Sequence, residues 1–267
     1  MNLLGMINEM RDLGYTPDEA EARVCQDIVL KAIASSSLSG NVTIKGGVVM
    51  RSMTNDIRRA TIDLDIDFIR YSMTNESLMR FIDKINCLDG ISIKTRGKIE
   101  DLNHQDYKGK RVYISISDKW GNSINSKIDF GVHDHLEIEQ EEYCFDIAFD
   151  NMGASLLVNS REQMFAEKLR SLLKLGSFST RYKDIFDMYY QCGKINLDKL
   201  SQSFRVYIID DPNMRENTKA EIVNRVREVF ASDSFRRKVD ESDKRWMDDD
   251  IDKIFKTILN CLDSVEI

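Results

Sequence analysis

The sequence predicts an α/β (α+β) core with a mixed sheet over residues 1-155, followed by a helical domain over 156-267. Three observations carry this expectation. Segments of strand period and helix period are interleaved as far as "LLVNS", and helical periodicity then runs on almost without a break. A length of 267 residues favours about two hydrophobic cores. Hydrophobic residues at 42% and charged residues at 31% describe an ordinary globular chain, so neither core lacks material.

The elements follow in order. "TPDE" at Thr16 to Glu19 is a capping box with proline at the first helical position, and it opens a helix reaching about Ser35. Val42 to Lys45 is a short strand entering a double glycine, and a brief helix follows near Val48 to Met53. In "IDLDIDF" (Ile62 to Phe68) apolar and acidic residues alternate strictly, the period of a strand. Ile62, Leu64, Ile66 and Phe68 are expected to face a core, with Asp63, Asp65 and Asp67 on the opposite face. A helix near Glu76 to Cys87 precedes strands near Ile91 to Lys98, Arg111 to Ser117, Asn125 to Val132 and Tyr143 to Phe149. Ser160 and Gln163 then form a capping box that fixes the register of the next helix. Its apolar arc is Met164, Phe165, Leu169, Leu172 and Leu173, and Lys168 falls inside that arc. In "RYKDIFDMYY", Tyr182, Ile185, Phe186 and Tyr189 point inward, with Lys183, Asp184 and Asp187 on the other side. The acidic "DESDKRWMDDDID" is read as a solvated helix surface.

Composition narrows the function. No apolar run approaches the roughly 18 residues that span a bilayer, and the first residues lack the pattern of a secretory leader. A cytoplasmic protein without a membrane partner is expected. The five cysteines are scattered without paired spacing, which argues for buried thiols over disulfides or zinc. His133 and His135 read as a polar turn. A formal charge of -7 means that any polyanion must be drawn by a local patch. Two clusters offer one: Lys45, Arg51, Arg58 and Arg59; and Lys94, Arg96, Lys98, Lys108, Lys110 and Arg111.

The aspartate strand carries the chemistry. Same-face carboxylates along a strand stand only roughly 7 Å apart, so they repel unless solvent screens them or cations meet them. Hard oxygen ligands on a strand suit Mg²⁺. Gly46 and Gly47 lie between a strand and a helix, where backbone N–H groups can face a phosphate. Asp129, in the alternating "SKIDFGV", offers a third carboxylate if its strand lies beside the first. Lys168 either snorkels past the core edge or meets an anion.

Taken together, these pieces resemble the AbiEii family of nucleotidyltransferases, the toxin halves of type IV toxin–antitoxin and abortive-infection systems. The matching segments are "KGG" at Lys45 to Gly47, "RATIDLD" at Arg59 to Asp65, "KIDF" at Lys127 to Phe130, "AEKL" at Ala166 to Leu169 and "RYKDIFD" at Arg181 to Asp187. The resemblance implies a DNA-polymerase-β-like core, a nucleoside triphosphate donor, a tRNA 3′ end as acceptor, a cognate antitoxin and a part in antiviral defence. It also implies Mg²⁺, with Mn²⁺ as an alternative. Asp63, Asp65 and Asp129 are the expected metal ligands and, with Lys168, the catalytic residues; Asp67 competes for the ligand role. Lys45, Gly46, Gly47, Arg59, Thr61, Arg181, Lys183 and Asp184 are expected to bind nucleotide or phosphate. Val48 departs from the family's Ser or Thr after the double glycine. A small-molecule acceptor such as an antibiotic, and a catalytically silent nucleotide sensor, are the alternative functions. Lys168→Met is expected to fold with unchanged or higher melting temperature and to lose transfer.

Overall fold

A computed structural model of the chain describes residues 1–102 and 109–267. Lys108 of the second basic cluster, and His104, lie outside the described residues. The chain divides into two compact units, Met1–Asn159 and Ser160–Ile267.

The first unit runs α1 (Leu3–Asp12), α2 (Pro17–Ala34), β1 (Val42–Lys45), α3 (Gly46–Thr54), β2 (Asp65–Phe68), α4 (Asn75–Ile85), β3 (Ile91–Thr95), β4 (Glu100–Leu102), β5 (Gly109–Asp118), β6 (Ser123–Val132), β7 (Glu141–Ile147) and β8 (Asp150–Val158). Among the described residues these strands form one eight-stranded mixed sheet in the order β3-β5-β6-β2-β1-β8-β7, with β4 paired to β5. β2 lies antiparallel to β1 and parallel to β6, and β1 lies parallel to β8. One face of the central strands is apolar: Ile44, Ile66 and Phe130 share one row, and Val42, Phe68 and Val132 share another. Phe68 stacks on Phe130 at 5.1 Å between ring centroids, and Phe81 of α4 closes edge-on against both at 5.2 and 5.4 Å. Fully burying such rings contributes roughly 1.5–3 kcal/mol each, enough to fix which face of β2 looks inward.

α2 starts at the Thr16 and Glu19 capping box and is buried along most of its length. Its polar side chains tie it to the β7–β8 hairpin. Arg23 donates to the Asp146 carbonyl at 2.9 Å, and Lys31 to the Gly153 carbonyl at 2.9 Å. Gly153 turns there with φ +67°, where a Cβ would stand 2.7 Å from the Phe145 carbonyl oxygen.

The second unit contains α5 (Arg161–Leu175), α6 (Tyr182–Cys192), α7 (Leu197–Phe204), α8 (Lys219–Ala231), α9 (Asp233–Asp240) and α10 (Ile251–Ser264). Its core includes Phe165, Leu169, Phe186, Phe204, Phe230 and Phe255, with Phe230 and Phe255 stacked at 4.0 Å. Ser160 caps α5 by accepting from the Gln163 N–H at 3.1 Å.

Several expectations are corrected. β2 begins only at Asp65, so Ile62 lies outside the strand and is 51% exposed. Asp67 is not on an open face but is buried. Asp187 is 0% exposed and does not belong to the solvent side of α6. Cys87 and Cys144 are exposed thiols, while Cys25 and Cys261 are buried. The acidic stretch before α10 is a loop that buries Trp246, not a helix surface.

Candidate active site

The sheet register builds the site. Lys45 of β1 stands opposite Asp65 of β2, Asp65 opposite Asp129 of β6, and Asp129 opposite Arg111 of β5. Residues in register on neighbouring strands project to the same face, so these four make a row across the sheet with charges plus, minus, minus, plus. Asp67 lies two residues along β2 on that same face, and Asp63 precedes the strand.

Each outer carboxylate of the group has its own cation. Lys45 Nζ stands 2.7 Å from Asp67 Oδ1, and Lys127 Nζ 2.9 Å from Asp63 Oδ1. Arg111 grips Asp129 with both arms, Nε to Oδ1 and Nη2 to Oδ2, each at 2.7 Å. This fork is the strong form of carboxylate pairing, and it raises the Arg111 guanidinium above its ordinary range. Asp65 sits at the centre. Burial pushes its carboxyl up to about 6; Lys45 opposes that rise, and the negative charges of Asp129, Asp63 and Asp67 add to it.

Gly46 and Gly47 are shaped for this neighbourhood. Gly46 has φ +67°, and a Cβ on it would meet Asp65 Oδ2 at 2.6 Å. A Cβ on Gly47 would meet the Thr61 side chain at 2.5 Å from Oγ1 and 2.8 Å from Cβ. Thr61 therefore packs directly on the start of α3, and neither glycine has room for a side chain. No side chain caps α3, so its first N–H groups form an uncapped, anion-attracting terminus. Val48 is 0% exposed and belongs to the core. Gly47→Ala is expected to lower stability by about 1–3 kcal/mol through overpacking. Thr61→Gly in the same chain should recover most of that loss in a denaturation double-mutant cycle.

The first basic cluster is not a surface patch. Lys45, Arg51 and Arg59 are buried, and Arg58 is paired with Asp56 at 3.2 Å. In the second cluster Lys94, Arg96 and Lys98 are exposed, Lys110 pairs with Asp101 at 2.8 Å, and Arg111 is the partner of Asp129. Gln26 escaped sequence reasoning. Buried on α2, it donates to the carbonyls of Thr61 at 2.9 Å and Asp63 at 3.3 Å, holding the chain that leads into β2. Its one signal was an amide within the apolar run of a helix.

In the second unit Lys168 neither snorkels nor stands free. Its ammonium lies 2.8 Å from Asp184 Oδ1 and 2.9 Å from Asp187 Oδ2. Arg181 is exposed and reaches Asp184 Oδ2 at 3.0 Å, and Lys183 is half-buried beside them on α6.

Hard carboxylate oxygens next to a carboxyl pushed upward by burial and, after it, by like charges are a donor set that suits a divalent cation. As the side chains stand, no group of three or more His, Cys, Asp or Glu among the described residues converges tightly enough to hold a metal. Asp63 and Asp129 are drawn toward Lys127 and Arg111 instead.

A mixed sheet with a carboxylate row beside a glycine-opened helix is the architecture of a nucleotidyltransferase. The family model described as nucleotidyl transferase AbiEii toxin, type IV TA system, matches residues 28–262, and the chain belongs to that family. It is a nucleotidyl-transfer enzyme of the toxin type. The toxin nucleotidyltransferase MenT4 of Mycobacterium tuberculosis H37Rv shares the fold, with 15% identity, full coverage of both chains and a TM-score of 0.52. A protein of H. pylori described as a candidate nucleotidyltransferase aligns over 91% of this chain and 92% of its own, at 15% identity and a TM-score of 0.45. An antigenic nucleotidyltransferase-like protein of Paracoccidioides brasiliensis aligns over 78% of this chain and 88% of its own, at 13% identity and a TM-score of 0.45. No curated protein matches the sequence. Among the described residues no helix is long and apolar enough to cross a membrane.

Proposed function

We propose that the enzyme transfers a nucleoside monophosphate from a nucleoside triphosphate to the 3′ end of an RNA, with tRNA as the acceptor, and that a cognate antitoxin restrains it. The row Lys45, Asp65, Asp129, Arg111 carries this reading, because it sets two carboxylates side by side in front of the α3 terminus. Asp63, Asp65 and Asp129 are the residues to hold Mg²⁺, or Mn²⁺ in its place. A divalent ion bound there supplies charge neutralisation for an in-line phosphoryl displacement.

The chain's own groups do the rest. The N–H groups at Gly46 and Gly47 receive phosphate oxygens, and the missing side chains let Asp65 and Thr61 pack directly against that terminus. Lys45, Arg59 and Thr61 hold the walls of that cradle. Arg111 orients Asp129 through its two-armed grip, and Asp129 accepts the proton of the acceptor hydroxyl as the new O–P bond forms at the α-phosphorus and pyrophosphate leaves. Lys168, with Arg181, Lys183 and Asp184, is assigned to the triphosphate. The exposed Lys94, Arg96 and Lys98 favour a polyanionic acceptor over a small molecule.

The test is incubation with each labelled nucleoside triphosphate, Mg²⁺ and total RNA. Label is expected on RNA of tRNA length. It should be lost in Asp63→Ala, Asp65→Ala and Asp129→Ala. Label confined to small molecules would exclude the RNA acceptor, and full transfer by the three variants would overturn the assignment of the site.

A further inference from the structure

One turn beyond Gly47 on α3, Arg51 is 3% exposed and serves none of the roles described above. Its Nε and both Nη atoms are buried without a hydrogen-bond partner among the described residues. The nearest carboxylate is Asp27 of α2, whose Oδ1 stands 3.7 Å from Nη2, beyond hydrogen-bond length. Asp27 is already engaged. It is fully buried, Arg23 Nε approaches its two oxygens at 2.9 and 3.0 Å, and the Ala148 N–H reaches Oδ2 at 3.2 Å. Arg23 and Arg51 thus share one carboxylate, and one positive charge is left over in the interior. Burial and the charge of Arg23 bring the Arg51 guanidinium down to about 10, against the pull of Asp27. A buried guanidinium with its whole fork unsatisfied is a costly arrangement unless an anion completes it.

The space for one is present. A small cleft, with about 40 Å³ for the centres of water-sized molecules, is lined by Arg51 together with Tyr15, Arg23, Ser52 and Asn55. Two acids, Asp56 and Asp146, complete its lining. Asp56 accepts from the Arg58 N–H at 2.9 Å and from Arg58 Nη2 at 3.2 Å, so its charge is met locally. Asp146 is exposed at the surface. An acidic rim disfavours a polyphosphate and favours a compact ion of low charge.

We propose that this cleft is a binding site for a single phosphate-sized oxyanion, held by the Arg51 fork and by the hydroxyls of Tyr15 and Ser52. A guanidinium fork matches two oxygens of such an ion. The ligand is either free inorganic phosphate or the phosphate of a monoester. The site lies apart from the α3 terminus that faces the triphosphate, so the inference stands whether or not the proposed RNA acceptor is correct. Binding there joins α2 to α3. α2 carries Gln26, which holds the Thr61 and Asp63 carbonyls, and α3 begins at the double glycine.

The experiment is thermal unfolding and isothermal titration of the whole protein with inorganic phosphate, against NaCl at matched ionic strength. A saturable rise in melting temperature of about 2 °C or more is expected. It should persist in the presence of saturating ATP and in Asp65→Asn, which separates this cleft from the catalytic site. Arg51→Lys keeps the charge but removes the fork, and should weaken binding at least about tenfold. Should that variant fail to fold, Tyr15→Phe with Ser52→Ala at the rim replaces it, with the same expected direction. AMP binding tighter than phosphate identifies the monoester as the source; phosphate alone identifies the free ion. No saturable effect beyond NaCl in the wild-type protein overturns the proposal, as does a phosphate effect that ATP abolishes and the cleft variants leave intact.

Discussion

Asp65→Asn is expected to reduce nucleotidyl transfer by about 10²- to 10³-fold or more and, in the same protein, to raise the melting temperature above pH 6. Both effects come from the central place of this carboxylate. The activity loss follows from removing an anionic oxygen donor from the row on which the proposed metal site rests. The stability gain follows from proton linkage. The Asp65 carboxyl is raised from an ordinary value of 3.8 to about 6 in the folded protein. Between those values the folded chain holds a proton that the unfolded chain releases. The stability contributed by this group is therefore fully present below 3.8 and is lost as pH rises through 6. Above pH 6 the folded state carries a charged carboxylate among like charges, a disadvantage on the order of 1–3 kcal/mol for a half-buried group. Asparagine has the same shape and no charge, so it removes that disadvantage. In EDTA the variant should melt above the wild-type protein at pH 8, and the gap should narrow at pH 5. Added Mg²⁺ should raise the wild-type melting temperature and leave the variant unmoved. An equal melting temperature at both pH values would show that Asp65 is not the strained member of the group.

The same row shows how much the residues disclosed on their own. Lys45, the double glycine and the three aspartates were legible because their local chemistry is unusual: a strand that ends in two residues without Cβ, and acids at strand spacing. The expectation overran at Ile62 because alternation reports a possible strand, while a real one needs partners. β1 offers β2 hydrogen-bonded neighbours only from Lys45 back to Val42, opposite Asp65 to Phe68. The chain before Asp65 is held instead by the Gln26 side chain and, at the Leu64 carbonyl, by the Asp129 N–H of β6. β8 was missed because it begins "DNMG", poor strand formers with Gly153 at φ +67°, and its pairing with β1 and β7 is a tertiary fact. α1 left a readable trace, Leu3, Met6, Ile7 and Met10 at helical spacing, all of them buried. The cation partners Lys127 and Arg111 could not be assigned from spacing. Lys127 is close in sequence to Asp129 yet pairs with Asp63, and Arg111 reaches Asp129 only through the β5–β6 register.

Lys168→Met is the second large effect, and its sign on stability reverses the expectation drawn from the helix arc alone. An ammonium set among Met164, Leu169 and Leu172 looked like a burden on the core that an apolar chain of similar length would relieve. The structure instead places that ammonium between Asp184 and Asp187, and Asp187 is 0% exposed. Removing the lysine strands a buried carboxylate, which typically costs about 3–5 kcal/mol. The single variant is therefore expected to melt well below the wild-type protein and to lose transfer activity. Lys168→Met with Asp187→Asn separates the two losses. The amide removes the stranded charge, so the double variant should regain most of the stability. If Lys168 also neutralises the triphosphate, as proposed, its activity should stay down by about 10²-fold or more. Recovery of activity along with stability would confine Lys168 to holding α5 against α6. A single variant that melts at or above the wild-type temperature would instead refute the ion trio as the reason a lysine stands in that arc.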